Sequence, residues 1–394
     1  MNTTRDSEST ILFIHGIAEI GGGERDLLMI LDRLPGFGYR PVVVCPEQGP
    51  FVEELRHRGI GCCYATFPPW RKLLSYARRR AAIRRLREIV TSERPSLVHV
   101  NDIWWVPQTL RALEGSGGSG SDRIPRMPIV AHVRQEIEPR KVKRYELHRA
   151  DLLFPVSKQI QVALEAGGVA PGTARPLYSG LDPARIPAQL GREAARQRHG
   201  FPQDALVLGT VANLFPRKGY DVMLAALRRI LTHCPNVHYL IVGQGDTDYE
   251  ARLRRLAGDE TLRGRVQFTG FQPDVYPLLA AMDLYVHPAL MEGFGIAVLE
   301  AMAMGIPVIA TRTGGLPEII EERITGVLVP PGDVEALEAA VVTLAADVQL
   351  RSVYGAAGRD RVRKSFTIGA MMDGLVAGYQ DVQKQASPRK EVSA

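Results

Sequence analysis

Short, nearly continuous apolar runs rich in Val and Ile recur along the chain, each followed by a longer stretch of mixed apolar and polar residues. In the first half these runs fall at residues 11–15, 41–45, 61–66, 97–101, 129–133, 152–156 and 175–178. In the second half they fall at residues 206–212, 237–242, 265–269, 283–287, 307–311 and 326–329. Continuous rather than alternating hydrophobicity is what a parallel strand needs when helices cover both faces of its sheet. The stretches between carry helical spacing, as at 24–34, 220–231, 249–256 and 334–344. This strand–helix grammar, repeated twice, predicts two doubly wound, Rossmann-like α/β halves.

The strand signal lapses at 182–203, where Pro183, Pro187 and Pro202 flank a charged stretch. The segment reads as a linker with one helix. The expected domains are therefore 1–181 and 204–375, followed by a helix and tail at 376–394. Residues 115–122 read GSGGSGSD, a flexible low-complexity segment; a native loop and an engineered replacement both fit.

Composition narrows the class. The chain has 394 residues, 45% of them hydrophobic and 23% charged, which fits a globular protein of two domains and excludes wholesale disorder. No apolar run reaches the ~18 residues of a transmembrane helix. The first ten residues are polar and include Asp6 and Glu8, unlike a signal peptide. The four cysteines make no CxxC pair and no metal spacing with His, so a reducing cytosol is the simplest setting. A net charge of +6 fits an anionic partner, and its location matters more than its size.

The densest chemistry lies at 292–311, EGFGIAVLEAMAMGIPVIAT. Gly293 and Gly295 precede a run of good helix formers that Gly305 and Pro307 close. Free N–H groups and the helix dipole make such a start an anion site, and glycine lets a ligand approach the backbone. Glu300 leans back toward that mouth, and Glu292 faces it from the preceding loop. Two carboxylates beside an anion site suit a ligand with both phosphate and sugar hydroxyls; a capped surface helix with two solvated glutamates is the plainer alternative. A second glycine turn, Gly314-Gly315, follows the next strand, and a strand–turn–helix at 214–219 places Arg217 and Lys218 where they can neutralise a diphosphate.

These motifs together resemble the family-4 (GT4) retaining glycosyltransferases of GT-B fold. The resemblance runs from Gly21-Gly22-Gly23-Glu24-Arg25 through Ser179-Gly180-Leu181-Asp182, Lys218-Gly219, Gly243-Gln244-Gly245 and Glu292-x7-Glu300 to Gly314-Gly315-Leu316-Pro317-Glu318. It implies an N-terminal acceptor domain and a C-terminal nucleotide-sugar domain facing each other across a cleft. It implies that Glu300 binds the ribose, that Glu292 contacts the transferred sugar, and that Lys218, with Arg217, meets the diphosphate. Phe294, Gly295 and Ile296 then form the donor-binding helix start. Gly22 and Gly23 approach the donor from the other domain, and His132 sits near the sugar at a strand end. The chain departs from the family at Ala212-Asn213, where Gly-Arg is common, and Arg217 is placed to supply the missing charge.

Taken alone, a strand-end His such as His132 is more often a packing residue than a catalyst. His15 and the pair Asn101-Asp102 lie at the ends of other strands of the same half. Asp246-Thr247-Asp248 is a literal DxD, but it follows a glycine turn and reads as a solvated loop, so no metal and no other cofactor is expected. Residues 71–87 hold eight Arg or Lys and no acidic residue, with apolar residues at helical spacing. A second basic cluster spans 140–149. A helix packed on its sheet with a solvated cationic face fits this pattern, and so does one lying on an anionic membrane or meeting a phosphorylated acceptor.

The reading is a retaining hexosyltransferase that moves a sugar from a UDP- or GDP-sugar to a lipid-linked or polysaccharide acceptor in envelope or exopolysaccharide synthesis. It would be cytoplasmic, peripheral on the cytoplasmic face of the membrane. A glycosidase using Glu292 and Glu300 would leave Lys218 and the anion site unexplained. A nucleotide-sugar epimerase of similar fold, a catalytically dead sensor and a basic nucleic-acid-binding protein are the alternatives. The last lacks helix-turn-helix, zinc-finger and aromatic-platform signals, so no nucleic-acid partner is expected.

Overall fold

The computed structural model describes residues 8–70, 76–114, 126–187 and 191–386. The low-complexity segment 115–122, the start of the basic run at 71–75 and the end of the tail lie outside the described residues. The chain forms two compact units, the first of residues 1–178 and 369–394, the second of 179–368.

Unit 1 is built on a parallel sheet of β1 (Ser9–Ile14), β2 (Tyr39–Cys45), β3 (Gly61–Tyr64), β4 (Leu97–Val100), β5 (Ile129–Val133) and β6 (Leu152–Pro155), in the order β3-β2-β1-β4-β5-β6. Its helices are α1 (Gly22–Arg33), α2 (Pro50–His57), α3 (Tyr76–Glu93), α4 (Val106–Glu114), α5 (Pro139–Arg144) and α6 (Lys158–Ala166). Unit 2 repeats the plan with β7 (Leu206–Val211), β8 (Val237–Val242), β9 (Val266–Phe268), β10 (Leu284–His287), β11 (Val308–Thr311) and β12 (Gly326–Val329), in the order β12-β11-β10-β7-β8-β9. Around it stand α7 (Arg192–His199), α8 (Tyr220–His233), α9 (Thr247–Ala257), α10 (Tyr276–Leu279), α11 (Ile296–Ala303), α12 (Leu316–Ile319), α13 (Val334–Ala346) and α14 (Val348–Ser365). The last helix, α15 (Ile368–Ala386), carries the chain back to unit 1 from residue 369 onward.

Every pairing in both sheets is parallel, and the central strands are buried on both faces: Ile11, Leu12, Phe13 and Ile14 of β1 are fully covered. That is the reason their hydrophobicity is continuous. Buried tyrosines in unit 2 find partners for their hydroxyls: Tyr220 donates to the Ala212 carbonyl at 2.8 Å, and Tyr239 pairs with Thr210 Oγ1 at 2.7 Å.

Three expectations are corrected. Residues 175–178 form no strand; Pro176 lacks an N–H, and the segment only borders β6, with Leu177 N donating to the Pro155 carbonyl at 2.8 Å. The segment 182–203 is not a free linker. Arg196 of α7 is buried there, binds the Asp283 carboxylate, and donates to the Gln203 and Ala281 carbonyls at 2.6 and 3.2 Å, which fixes the segment within unit 2. The domain limits expected at 181 and 375 move to 178 and 368, because α15 packs on unit 1. Tyr379 is fully buried with its hydroxyl 2.5 Å from His99 Nδ1, and Gln383 bonds Tyr39 and Ser96 at 3.1 and 2.9 Å.

Candidate active site

In each unit the strand order reverses once, between β1 and β4 in unit 1 and between β7 and β10 in unit 2. Chain leaving the C-terminal ends of two such strands diverges and opens a crevice, where open α/β sheets bind ligands. The polar side chains of interest gather at these two places.

In unit 2, the turn after β7 and the loop after β10 are stitched together. Leu290 N and Met291 N both donate to the Arg217 carbonyl, at 2.8 and 3.2 Å. Gly219, at φ +71°, ends the turn so close to the Pro288 carbonyl that a Cβ would overlap it. This closeness delivers Lys218 to Glu292: its Nζ lies 2.6 Å from Glu292 Oε2. His287, the last residue of β10, brings Nε2 to the same oxygen at 2.6 Å, and Gly293 N donates to Oε1 at 3.1 Å. Burial pushes the Glu292 carboxyl up, but Lys218 and His287 together outweigh it and hold the group well below the usual carboxylate range. Burial lowers His287, and Glu292 opposes that only in part, so the imidazole is neutral near pH 7 and donates through Nε2–H.

The glycine turns interlock around this carboxylate. Gly314, at φ +57°, sits where a Cβ would overlap the Glu292 carbonyl, and Gly315 N donates to the Gly293 carbonyl at 3.1 Å. Gly295, at φ +115°, is the N-cap of α11, so the helix starts at Ile296, four residues after Glu292. Phe294 is buried and packs on Phe366, with ring centroids 6.0 Å apart; its ring is committed to the core, and its backbone lies at the helix start. Glu300 occupies the fifth position of α11, half-buried, on the side of Tyr276. Burial, and next the Glu300 charge, raise the Tyr276 hydroxyl above its ordinary value. Both glutamates also act on the buried Tyr285 hydroxyl of β10, which burial first and then their charges push up. Arg217 is exposed and stacks over Phe215 at 6.0 Å. Asp246 of the DxD accepts from Tyr249 N at 2.8 Å and caps α9. Among the described residues no three His, Cys, Asp or Glu side chains gather to hold a metal ion.

In unit 1, His15 follows β1, Asn101 follows β4 and His132 lies on β5. Asn101 Nδ2 is 3.1 Å from His15 Nδ1, and Asp102 Oδ2 is 3.3 Å from the same nitrogen. Arg134 joins these groups: its Nη2 lies 3.2 Å from His132 Nδ1 and 3.3 Å from Asn101 Oδ1, and its Nη1 pairs with Asp26 of α1. Gly22 and Gly23 form the first turn of α1 beside it; a Cβ on Gly23 would stand 3.5 Å from Arg134 Cδ. Burial, then Arg134 and His99, push the His132 imidazole well below its usual range.

The residues expected from the sequence therefore fall into two groups, one in each unit. Sequence reasoning missed His287, Arg134 and Asp26. The first stands five residues before Glu292 at a strand end and the second two residues after His132, spacings that were open to notice. Asp26 carried no signal, since an acid in the first turns of a helix is commonplace.

Two doubly wound units on parallel six-stranded sheets are those of the GT-B fold. The family model for glycosyl transferases group 1 matches residues 191–361, and that for glycosyltransferase family 4 matches residues 20–185. The chain belongs to the family-4 glycosyltransferases. It is 37% identical over 203 residues to a GDP-mannose-dependent monoacylated α-(1-6)-phosphatidylinositol monomannoside mannosyltransferase of Corynebacterium glutamicum, covering 48% of this chain and 52% of the relative. It is 33% identical over 202 residues to an amylovoran biosynthesis glycosyltransferase of Erwinia amylovora, covering 49% and 47%. The matched region spans about half the length of each of these relatives. In fold it is similar to HepE of Anabaena, solved with UDP and glucose, with a TM-score of 0.80 and 24% identity over 94% of this chain and 99% of that one.

Proposed function

We propose that the protein is a retaining hexosyltransferase that moves a sugar from a UDP- or GDP-sugar to a lipid-linked or polysaccharide acceptor. The observation that carries this reading is the Lys218–Glu292–His287 cluster in front of the α11 helix start, with Glu300 farther along the same helix. A sugar nucleotide presents hydroxyls, a diphosphate and a ribose in one line. Glu292 is ionised and can only accept, which suits hydroxyls of the transferred sugar. Lys218, Arg217 and the helix N–H groups supply positive charge for the diphosphate, and Glu300 accepts from the ribose. That cationic set balances the leaving group, so the reading requires no metal. In the transfer, the bond from the anomeric carbon to the diphosphate oxygen breaks as the acceptor oxygen bonds the same face. The acceptor proton passes to the departing phosphate oxygen. The protein contributes position and charge stabilisation.

The acceptor reading draws support from α3 of unit 1. Arg78, Arg80, Arg84 and Arg85 are exposed, whereas Ala82, Leu86, Ile89 and Val90 are buried against the unit. Arg87 is set apart from this face: it donates to the Ala112 and Arg111 carbonyls at the end of α4. The exposed arginines suit an anionic membrane surface carrying a lipid-linked acceptor on the cytoplasmic side. Among the described residues no helix is long and apolar enough to cross a membrane.

Calorimetry with UDP, GDP and their sugars tests the donor reading. Glu300→Gln is expected to weaken both the free nucleotide diphosphate and the intact donor by roughly ten- to a hundredfold, as a lost charge-assisted hydrogen bond does. Glu292→Gln is expected to spare free nucleotide binding and to depress transfer. If neither substitution changes binding or turnover, the donor site lies elsewhere.

A further inference from the structure

His132 has two ring nitrogens in different situations. Nδ1 is 3.2 Å from Arg134 Nη2. Nε2 is buried and has no hydrogen-bond partner among the described residues. A guanidinium is a donor only and does not lose its proton in a protein. Nδ1 must therefore accept, and in a neutral imidazole the single proton then resides on Nε2.

We propose that Arg134 is a positioning residue that locks His132 as an Nε2–H donor, so that His132 hydrogen-bonds an oxygen of the substrate and does not serve as a general base. With its one lone pair taken by Arg134, the ring has none left to receive the acceptor proton. The ring is 1% exposed, and burial keeps it neutral. Arg134 is itself held from two sides. Asp26, also 1% exposed, pairs with Nη1, and Asn101 Oδ1 accepts from Nη2 at 3.3 Å. The His99 and Phe154 rings pack near it, at 5.6 and 6.1 Å between centroids. Neither offers Nδ1 a competing carboxylate. Asp26 pairs with Arg134.

The sugar-hydroxyl partner of Nε2–H rests on the transferase reading; the tautomer does not. Long-range proton–nitrogen correlation spectra of the full chain labelled with 15N-histidine read it with no sugar nucleotide present, the His132 signals being assigned by their loss in His132→Gln. At about pH 8, where imidazoles are neutral, the expected pattern is an unprotonated Nδ1 and a protonated Nε2. A protonated Nδ1 in the wild-type chain overturns the proposal. The double variant Asp26→Asn/Arg134→Met removes the buried ion pair together, which protects the fold, and is expected to leave His132 in a mixture of tautomers. An unchanged pattern there also overturns it. A transfer assay separates donor from base. The His132→Gln amide nitrogen can stand where Nε2 stood and donate, so its kcat/KM is expected to fall less than tenfold. His132→Leu is expected to lose ten- to a hundredfold. Equal losses in the two variants would count against the donor role.

Discussion

The two strand-end clusters share one topology and solve different electrostatic problems. In unit 2 the charge is placed at the crevice itself: Glu292 is ionised beside Lys218, and a neutral His287 and a backbone N–H complete its shell. In unit 1 the charge is withdrawn. Arg134 and Asp26 neutralise each other, and Arg134 also meets the His132 imidazole and the Asn101 amide. The first arrangement suits a ligand that is itself charged, a diphosphate with its sugar. The second suits hydroxyls, where direction matters more than charge. A reversed strand order provides the crevice in both cases, and the side chains decide what it can bind.

The largest expected effect comes from breaking each ion pair in turn. Arg134→Met strands Asp26, which has no hydrogen-bond partner for Oδ1 and meets only Arg134 at Oδ2 among the described residues. An uncompensated buried charge costs about 3–5 kcal/mol. Lys218→Met leaves Glu292 with His287 and the Gly293 N–H, so its cost is expected at or below the bottom of that range. Because the chain has two compact units, hydrogen exchange followed peptide by peptide reads each loss where it occurs, which a single melting curve does not. Equal losses in the two units would show that His287 adds nothing to the hold on Glu292.

The same contrast explains what was legible in the sequence. Both sheets were, because doubly covered strands must be apolar throughout, as Val42, Val43 and Val44 of β2 are. The unit 2 cluster was legible because its demands fall on the backbone. Gly219, Gly295 and Gly314 adopt positive φ, and each stands within about twenty-five residues of Lys218 or Glu292, so the two short motifs stand out along the chain. In the unit 1 cluster the strand-end residues His15, Asn101 and His132 were legible, whereas Asp26 and Arg134, which come from separate elements, need no special backbone and were not. Residues 175–178 misled because Leu177 and Tyr178 were given more weight than the missing donor of Pro176. The return of α15 to unit 1 depends on contacts between residues far apart in sequence, such as Tyr379 with His99, 280 residues apart, and Gln383 with Ser96, 287 apart, which no local pattern announces.

A smaller effect lies in the acid range. The folded-state pKa of His132 is below its unfolded value of about 6.5, so in acid the folded chain binds fewer protons than the unfolded one. Stability is therefore complete above about pH 6.5 and falls as pH drops below it. His99, pushed down to about 3 by burial and then by Arg134, adds a loss of the same sign. In His132→Gln one titrating group is gone, and the acid-side slope of unit 1 stability is expected to be lower by up to ~1.4 kcal/mol per pH unit. Exchange rates of unit 1 peptides at a series of pH values, corrected for intrinsic exchange, measure that slope. An unchanged slope would mean that His132 is protonated in the folded state near pH 6.

The smallest effect distinguishes the outer faces. If α3 lays its exposed arginines on an anionic surface, each well-placed cation contributes about 1 kcal/mol, which corresponds to a roughly fivefold change in vesicle partitioning. Arg78→Gln, Arg80→Gln and Arg84→Gln, taken singly, are expected to lower binding to phosphatidylserine-containing vesicles by about that factor, with the effect shrinking as salt rises. Arg87→Gln is a control of a different kind. Its guanidinium is turned inward onto the end of α4, so it is expected to loosen the packing of α3 on α4 and to change partitioning less than its neighbours do. Arg228 of unit 2, paired with Asp259, serves as the control in the other unit, and Arg228→Gln is expected to leave partitioning unchanged. Should all five substitutions reduce binding alike, the attraction would belong to the net charge of +6 rather than to the face of α3, and the two units would not differ in how they meet a membrane.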